Sequence, residues 1–171
     1  GGTFDLGGNT LTLTGSSGFA GGATVTAGNI VVAGGARQGF GGVDLSSVVN
    51  LTANGTVDID GTGNVAPQSL VLGTNGRLDL EFMDQAEYVA ANMGGGGEIY
   101  LDDGRLTLGT GGIDVTLSSL ISGSGGSLRK TGAGVLTLSG TNTFDGGIEV
   151  AAGTLRLASN GAAGLGAITT T

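Results

Sequence analysis

Residues 11–32, LTLTGSSGFAGGATVTAGNIVV, lie without a gap over residues 136–157, LTLSGTNTFDGGIEVAAGTLRL, at an offset of 125 residues. Identities fall at Leu11, Thr12, Leu13, Gly15, Phe19, Gly21, Gly22, Val25, Ala27 and Gly28, the aliphatic, aromatic and glycine positions that fix backbone shape. Each copy reads Leu-Thr-Leu strand, Gly corner, Phe, Gly-Gly bend, second strand, Ala-Gly, third strand. Three short strands joined by tight bends make one triangular coil. Glycine suits the bends because it reaches positive φ without a Cβ clash; Thr, Val and Ile suit pleated walls.

The same aliphatic-polar-aliphatic unit recurs outward from these copies, as in Val57-Asp58-Ile59, Leu70-Val71-Leu72, Leu78-Asp79-Leu80, Ile99-Tyr100-Leu101, Leu106-Thr107-Leu108 and Ile113-Asp114-Val115. Period two means strand. Each unit offers only two inward side chains, too few for a core of its own, so successive coils must stack around a shared interior. The expected fold is all-β, a parallel β-solenoid filling residues 1–171 as one segment. At roughly 20 to 25 residues per turn it would hold about seven or eight coils. Asn54-Gly55 and Asn75-Gly76 keep an antiparallel hairpin meander as the competing topology. Neither Gly1–Phe4 nor Ala167–Thr171 reads as a polar or bulky cap, which predicts a stretch of a longer solenoid.

Composition agrees with that architecture. The 171 residues include 39 Gly but 1 Pro, with no Gly at every third position, which excludes collagen. With no Cys, the chain must hold together through repeated hydrogen bonding and packing. Six Lys plus Arg against fourteen Asp plus Glu give a net charge of -8, which opposes binding to nucleic acid or anionic lipid. No stretch approaches the length of a membrane helix.

One region departs from the pattern. Residues 84–93, DQAEYVAANM, start with an Asp, have Glu87 three residues on and stop at Gly94–Gly97, which predicts a short helix. Seven of the fourteen acids lie between Asp79 and Asp103, making this excursion the most acidic surface expected.

Residues 130–144, KTGAGVLTLSGTNTF, followed by DGGIEVAAGTL to Leu155, resemble the passenger-associated transport repeat of autotransporters in order and spacing. The clearest copy spans residues 130–157 and a degenerate one spans 11–32. Val135 stands where that repeat usually has Thr, and Phe144 where it usually has Tyr. The resemblance implies a right-handed parallel β-helix exported across the outer membrane by a C-terminal β-barrel, and an extracellular or cell-surface location. In that family the repeat is associated with passenger folding and secretion, so the resemblance names a carrier rod; the expected role is a structural and adhesive segment that spaces or presents binding surface. The expected partner is then a protein or glycan of a host or neighbouring cell. Direct membrane insertion is not expected, because the ten-residue alternating strands of a barrel are absent. The second reading is a protomer of an extracellular filament, self-associating end to end or side by side. The third is a carbohydrate-active β-helix.

No enzymatic activity, cofactor or metal site is expected. Without His or Cys, zinc and triad chemistry lack their usual groups. Asp58, Asp60, Asp102, Asp103 and Asp114 are the candidates for paired carboxylates, but acids at outward strand positions are ordinary on a solvated sheet. Asp102-Asp103-Gly104 supplies too few oxygens for calcium. The Gly94–Gly97 run has no Gly-Lys-Ser/Thr after it and is a turn, not a phosphate loop. Arg129-Lys130 reads as a solvated strand end, and Phe19 and Phe144 as corner fillers in preference to sugar-stacking rings.

Overall fold

The computed structural model describes residues 2–20, 23–41, 43–59, 67–80, 87–90 and 92–171. Among them every strand pairing is parallel, and the strands form three sheets of nine, six and five strands. These are the walls of a β-solenoid of about seven turns. The first wall stacks Thr10–Leu13, Thr24–Val32, Asp44–Ala53, Ser69–Leu72, Met93–Gly95, Val115–Leu117, Val135–Leu138 and Thr154–Leu157, with Thr3–Asp5 at one end. Ser17–Ala20, Arg37–Gly41, Thr56–Asp58, Arg77–Asp79, Glu98–Tyr100 and Leu120–Ser122 stack as the second wall. The third holds Glu87–Ala90, Arg105–Leu108, Ser127–Lys130, Ile148–Val150 and Ile168–Thr170.

Register partners lie from 18 residues apart (Glu87 with Arg105) to 23 apart (Leu70 with Met93), which brackets most of the expected coil length. The duplicated segments take equivalent places: Leu11 and Leu136 both lie on the first wall, six strand steps apart in its stacking order. All-parallel pairing removes the hairpin alternative. Asn54-Gly55 and Asn75-Gly76 are corners between the first and second walls, because a two-residue bend can turn a coil as readily as close a hairpin.

The interior follows from the alternation. Leu11, Ile30, Leu51, Leu70, Met93, Val115, Leu136 and Leu155 form one inward column of the first wall. Val57, Leu78, Ile99 and Ile121 form another on the second. Leu106, Leu128 and Ile148 do so on the third. Most of these side chains are buried in one continuous core. Each coil therefore rests on its neighbours, and stability is close to a sum of coil and interface terms.

Corners are shaped by glycine where nothing larger fits. Gly109 (φ 80°), Gly132 (φ 68°) and Gly153 (φ 77°) stack at the corner between the third and first walls. A Cβ on Gly132 would overlap the carbonyl of Gly109, and one on Gly153 would overlap that of Gly132. In the first coils the same corner is taken at Ala27 (φ 49°), and Thr24–Val32 bends around it as one long strand.

The expected helix over residues 84–93 is absent from the described part. Glu87–Ala90 is a strand in register with Arg105–Leu108, and Met93–Gly95 is already the next strand. Residues 84–86 and 91 lie outside the described residues. Tyr88 and Ala90 are buried while Val89 is 40% exposed, a period of two. Pairing with the coil beneath and burial of Tyr88 outweigh a local capping pattern. Ile113 is also misread as an inward wall residue: the strand begins at Val115, and Ile113 sits exposed on the preceding corner.

Candidate functional site

A solenoid turns the outward half of each period into surface, and here the three walls differ in chemistry. On the first wall Thr10, Asn29, Asn50 and Ser69 stack in one outward column. Asn50 Nδ2 donates to Asn29 Oδ1 at 3.0 Å, a side-chain ladder running parallel to the backbone one. Beside it Thr12, Val31, Thr52 and Val71 form a column that Thr116 and Thr137 continue and that ends at the exposed Arg156.

The ion pairs lie on the other two walls. Arg37 Nε meets Asp58 Oδ2 at 2.7 Å, Arg77 Nε meets Asp79 Oδ2 at 3.2 Å, and Arg77 also reaches Glu98 Oε2 at 2.9 Å. Arg77 lies 4.7 Å over the Tyr100 ring, a cation–π contact. Burial acts to lower the Arg77 pKa, but Asp79 and Glu98 outweigh it and hold the guanidinium above its usual value. On the third wall Arg129 Nε lies 3.4 Å from Glu149, and Arg105 lies 4.0 Å from the same carboxylate. Arg37–Asp58, Arg77–Glu98 and Arg129–Glu149 join neighbouring coils, Arg77–Asp79 lies within one strand, and Arg105 reaches Glu149 across two coil steps.

The candidate carboxylates among the described residues do not converge. Asp58 belongs to the second-wall ladder, and Asp60 lies outside the described residues. Asp102 (φ 51°) and Asp103 form the turn between the second and third walls. Asp114 stands at a different corner, where its Oδ1 accepts the Val135 N–H at 2.8 Å. Among the described residues no three Asp or Glu side chains gather to hold a metal ion. Half of the described acids of the expected patch between Asp79 and Asp103 are paired: Asp79 is 3% exposed and Arg77 bridges it to Glu98, while Asp102 and Asp103 sit on the turn. Residues 81–86 of that patch lie outside the described residues, as does the Glu87 side chain.

Two residues of the repeat play inward roles that composition did not reveal. Lys130, expected at a solvated strand end, points into the corner and is fully buried. Its Nζ donates to the carbonyls of Thr131, Gly132 (2.8 Å) and Ala152 (3.2 Å), tying one coil to the next. Burial pushes its pKa below the ordinary lysine value, against the pull of Asp114. Asn142 takes over where the second wall has no strand. Its Oδ1 accepts the Ile121 N–H from the coil above at 2.9 Å, and its Nδ2 donates to the Ala162 carbonyl of the coil below at 2.6 Å. The side-chain amide thus replaces a peptide in the ladder. The signal for both was the position of Lys and Asn within an otherwise apolar and Gly-rich repeat.

Phe144 is buried, and Phe19 stacks on Phe40 with ring centroids 5.6 Å apart, so these rings pack against the solenoid's own side chains. Along the corner between the first and second walls runs a groove of about 650 Å³, lined by Thr56, Thr74, Asn75, Arg77, Gly96, Glu98, Ser118, Leu120 and Thr141, among others.

Fold and surface together define a parallel β-solenoid whose chemistry is displayed on flat outer walls. The family model of the passenger-associated transport repeat matches residues 5–32 and 128–157, the two copies of the internal duplication. The chain is 36% identical, over 98% of its length, to the adhesin BmaC autotransporter of Brucella suis biovar 1 (strain 1330). It spans about 5% of the length of that curated relative. No solved structure matches it. The chain is an autotransporter passenger solenoid.

Proposed function

We propose that the chain is a non-catalytic contact rod, wound right-handed and displayed outside the cell after export across the outer membrane, that spaces and presents binding surface to another cell. The observation that carries the reading is the segregation of surface chemistry. One wall is mainly an Asn, Thr and Val face whose charges, Asp5, Asp44 and Arg156, sit on its terminal strands or a strand end, while the ion pairs cluster on the other two walls. Flat repeated surface favours many weak contacts that add by multivalency. The name of the similar Brucella protein, an adhesin, supports the same reading.

A direct test coats the purified chain on inert beads and counts beads retained on epithelial monolayers under shear. Retention above that of beads coated with a scrambled-surface variant is the expected result. Equal retention removes the adhesive role. Surface display is checked by antibody binding to intact cells that express the full-length parent protein. Incubation with a polysaccharide panel is expected to release no reducing ends.

A further inference from the structure

The groove between the first and second walls has a feature the fold does not demand. At this corner Gly55, Gly76 and Gly97 are required, because a Cβ on any of them would overlap a backbone carbonyl of an adjoining coil or turn. Gly96 is different. Its φ is ordinary, and a Cβ there would meet only the Ser118 Oγ at 3.3 Å, the end of a short side chain. Glycine at 96 keeps space open in the groove, where backbone geometry would admit a side chain.

The groove crosses successive coils from Thr56 through Arg77 and Glu98 to Leu120 and Thr141, a run of about 19 Å at the spacing of stacked strands. Its volume of about 650 Å³ falls within the range of ligand sites. Its walls offer hydroxyls from Thr56, Thr74 and Thr141 and an amide from Asn75, while Leu120, 41% exposed, offers an apolar patch. The charges in it, Arg77 and Glu98, neutralise each other at 2.9 Å. A phosphorylated or sulfated ligand meets no uncommitted cation there, and the chain's net charge of -8 repels it. An added peptide strand finds no open edge, because Arg77–Asp79 and Glu98–Tyr100 already pair on both sides. What remains is a linear, neutral ligand rich in hydroxyls with one apolar face.

We propose that this corner groove binds a neutral oligosaccharide lying along the solenoid axis, with Leu120 under a sugar C–H face and Thr74, Asn75 and the Arg77–Glu98 pair bonding its hydroxyls. The proposal deepens the contact role above and rests on it for its biological meaning, but the binding itself is separately measurable.

A glycan array carrying neutral, sialylated and sulfated glycans selects the ligand, and amide shifts on titration with the best neutral oligosaccharide map the site. The expected result is saturable shifts at Thr74, Asn75, Gly96 and Ser118. Gly96→Leu, which fills the groove, should weaken binding by about tenfold or more while thermal unfolding stays near that of the wild type. Leu120→Ser serves as the second variant should leucine at 96 disturb the corner, with a smaller loss in the same direction. An array with no neutral glycan bound, shifts that map to another wall, or wild-type affinity in both variants would overturn the proposal. The bead assay keeps the two readings apart. If wild-type beads adhere and the oligosaccharide titration shows no binding in the groove, the groove falls and the adhesive rod stands. If the groove binds glycan and the beads do not adhere, the reverse holds.

Discussion

Asn142 gives the sharpest test of how the coils are held together, because one side chain stands in for a missing rung of backbone. Asn142→Ala removes the acceptor for the Ile121 N–H and the donor for the Ala162 carbonyl, both in buried surroundings. Each buried polar group left without its partner costs about 1–3 kcal/mol, so the variant should lose about 2–5 kcal/mol. The loss is local, since a solenoid transmits destabilisation mainly to nearest neighbours. Urea unfolding followed by circular dichroism should show the fall in stability. Hydrogen exchange should show faster exchange at Ile121 and around residues 159–165, with the first-wall amides of residues 29–32 unchanged. Asn142→Asp refines the argument. Ionised, it keeps an acceptor for Ile121 but faces the Ala162 carbonyl without a donor. Protonated, it regains that donor, so this variant should gain stability on acidification relative to Asn142→Ala. A change within about 0.5 kcal/mol for Asn142→Ala, the scale of ordinary surface substitutions, would refute the peptide-replacement role, as would unaltered exchange at Ile121.

Three further outcomes follow from the same geometry. Lys130→Met removes an ammonium that donates to three carbonyls and should cost about 2–4 kcal/mol by chemical denaturation, at the charged hydrogen-bond scale. Because the folded state lowers the Lys130 pKa below 10.5, the unfolded chain holds more protons between the two values, so stability rises with pH across that window. The rise should be missing from Lys130→Met when the two denaturation midpoints are compared from neutral pH upward. Gly97→Ala forces a Cβ against the Gly76 carbonyl and should cost about 1–3 kcal/mol in thermal or urea unfolding, whereas Gly96→Ala should be near neutral. Arg77→Lys loses the planar contacts to Asp79, Glu98 and Tyr100 and should cost about 1 kcal/mol in urea, shrinking in high salt.

Much of this fold was legible in the residues before any coordinate. The duplication of residues 11–32 at 136–157 named strands, corners and coil: the opening Leu-Thr-Leu strands and the closing strands of both copies lie on the first wall, although the second copy has no second-wall strand to match Ser17–Ala20. Period-two aliphatics and corner glycines are local instructions: alternation decides which side chains face inward, and a missing Cβ decides where the backbone can turn. The same local reading failed where long-range pairing competed with it. Residues 87–90 carry part of a helix-start pattern but pair with Arg105–Leu108, and Ile113 sits in an alternating triplet whose strand starts two residues later.

What the sequence by itself determined is therefore the coil: its walls, its bends and the need to stack. The tertiary structure alone decided what lies above what. Coil length varies between 18 and 23 residues, so no fixed period reports that Arg37 reaches Asp58, that Arg77 bridges Asp79 and Glu98, or that Lys130 binds the Ala152 carbonyl of the next coil. Those contacts depend on the register between turns, set by the packing of the whole interior. The groove beside Gly96 belongs to that second class: it exists only where five coils stack at one corner.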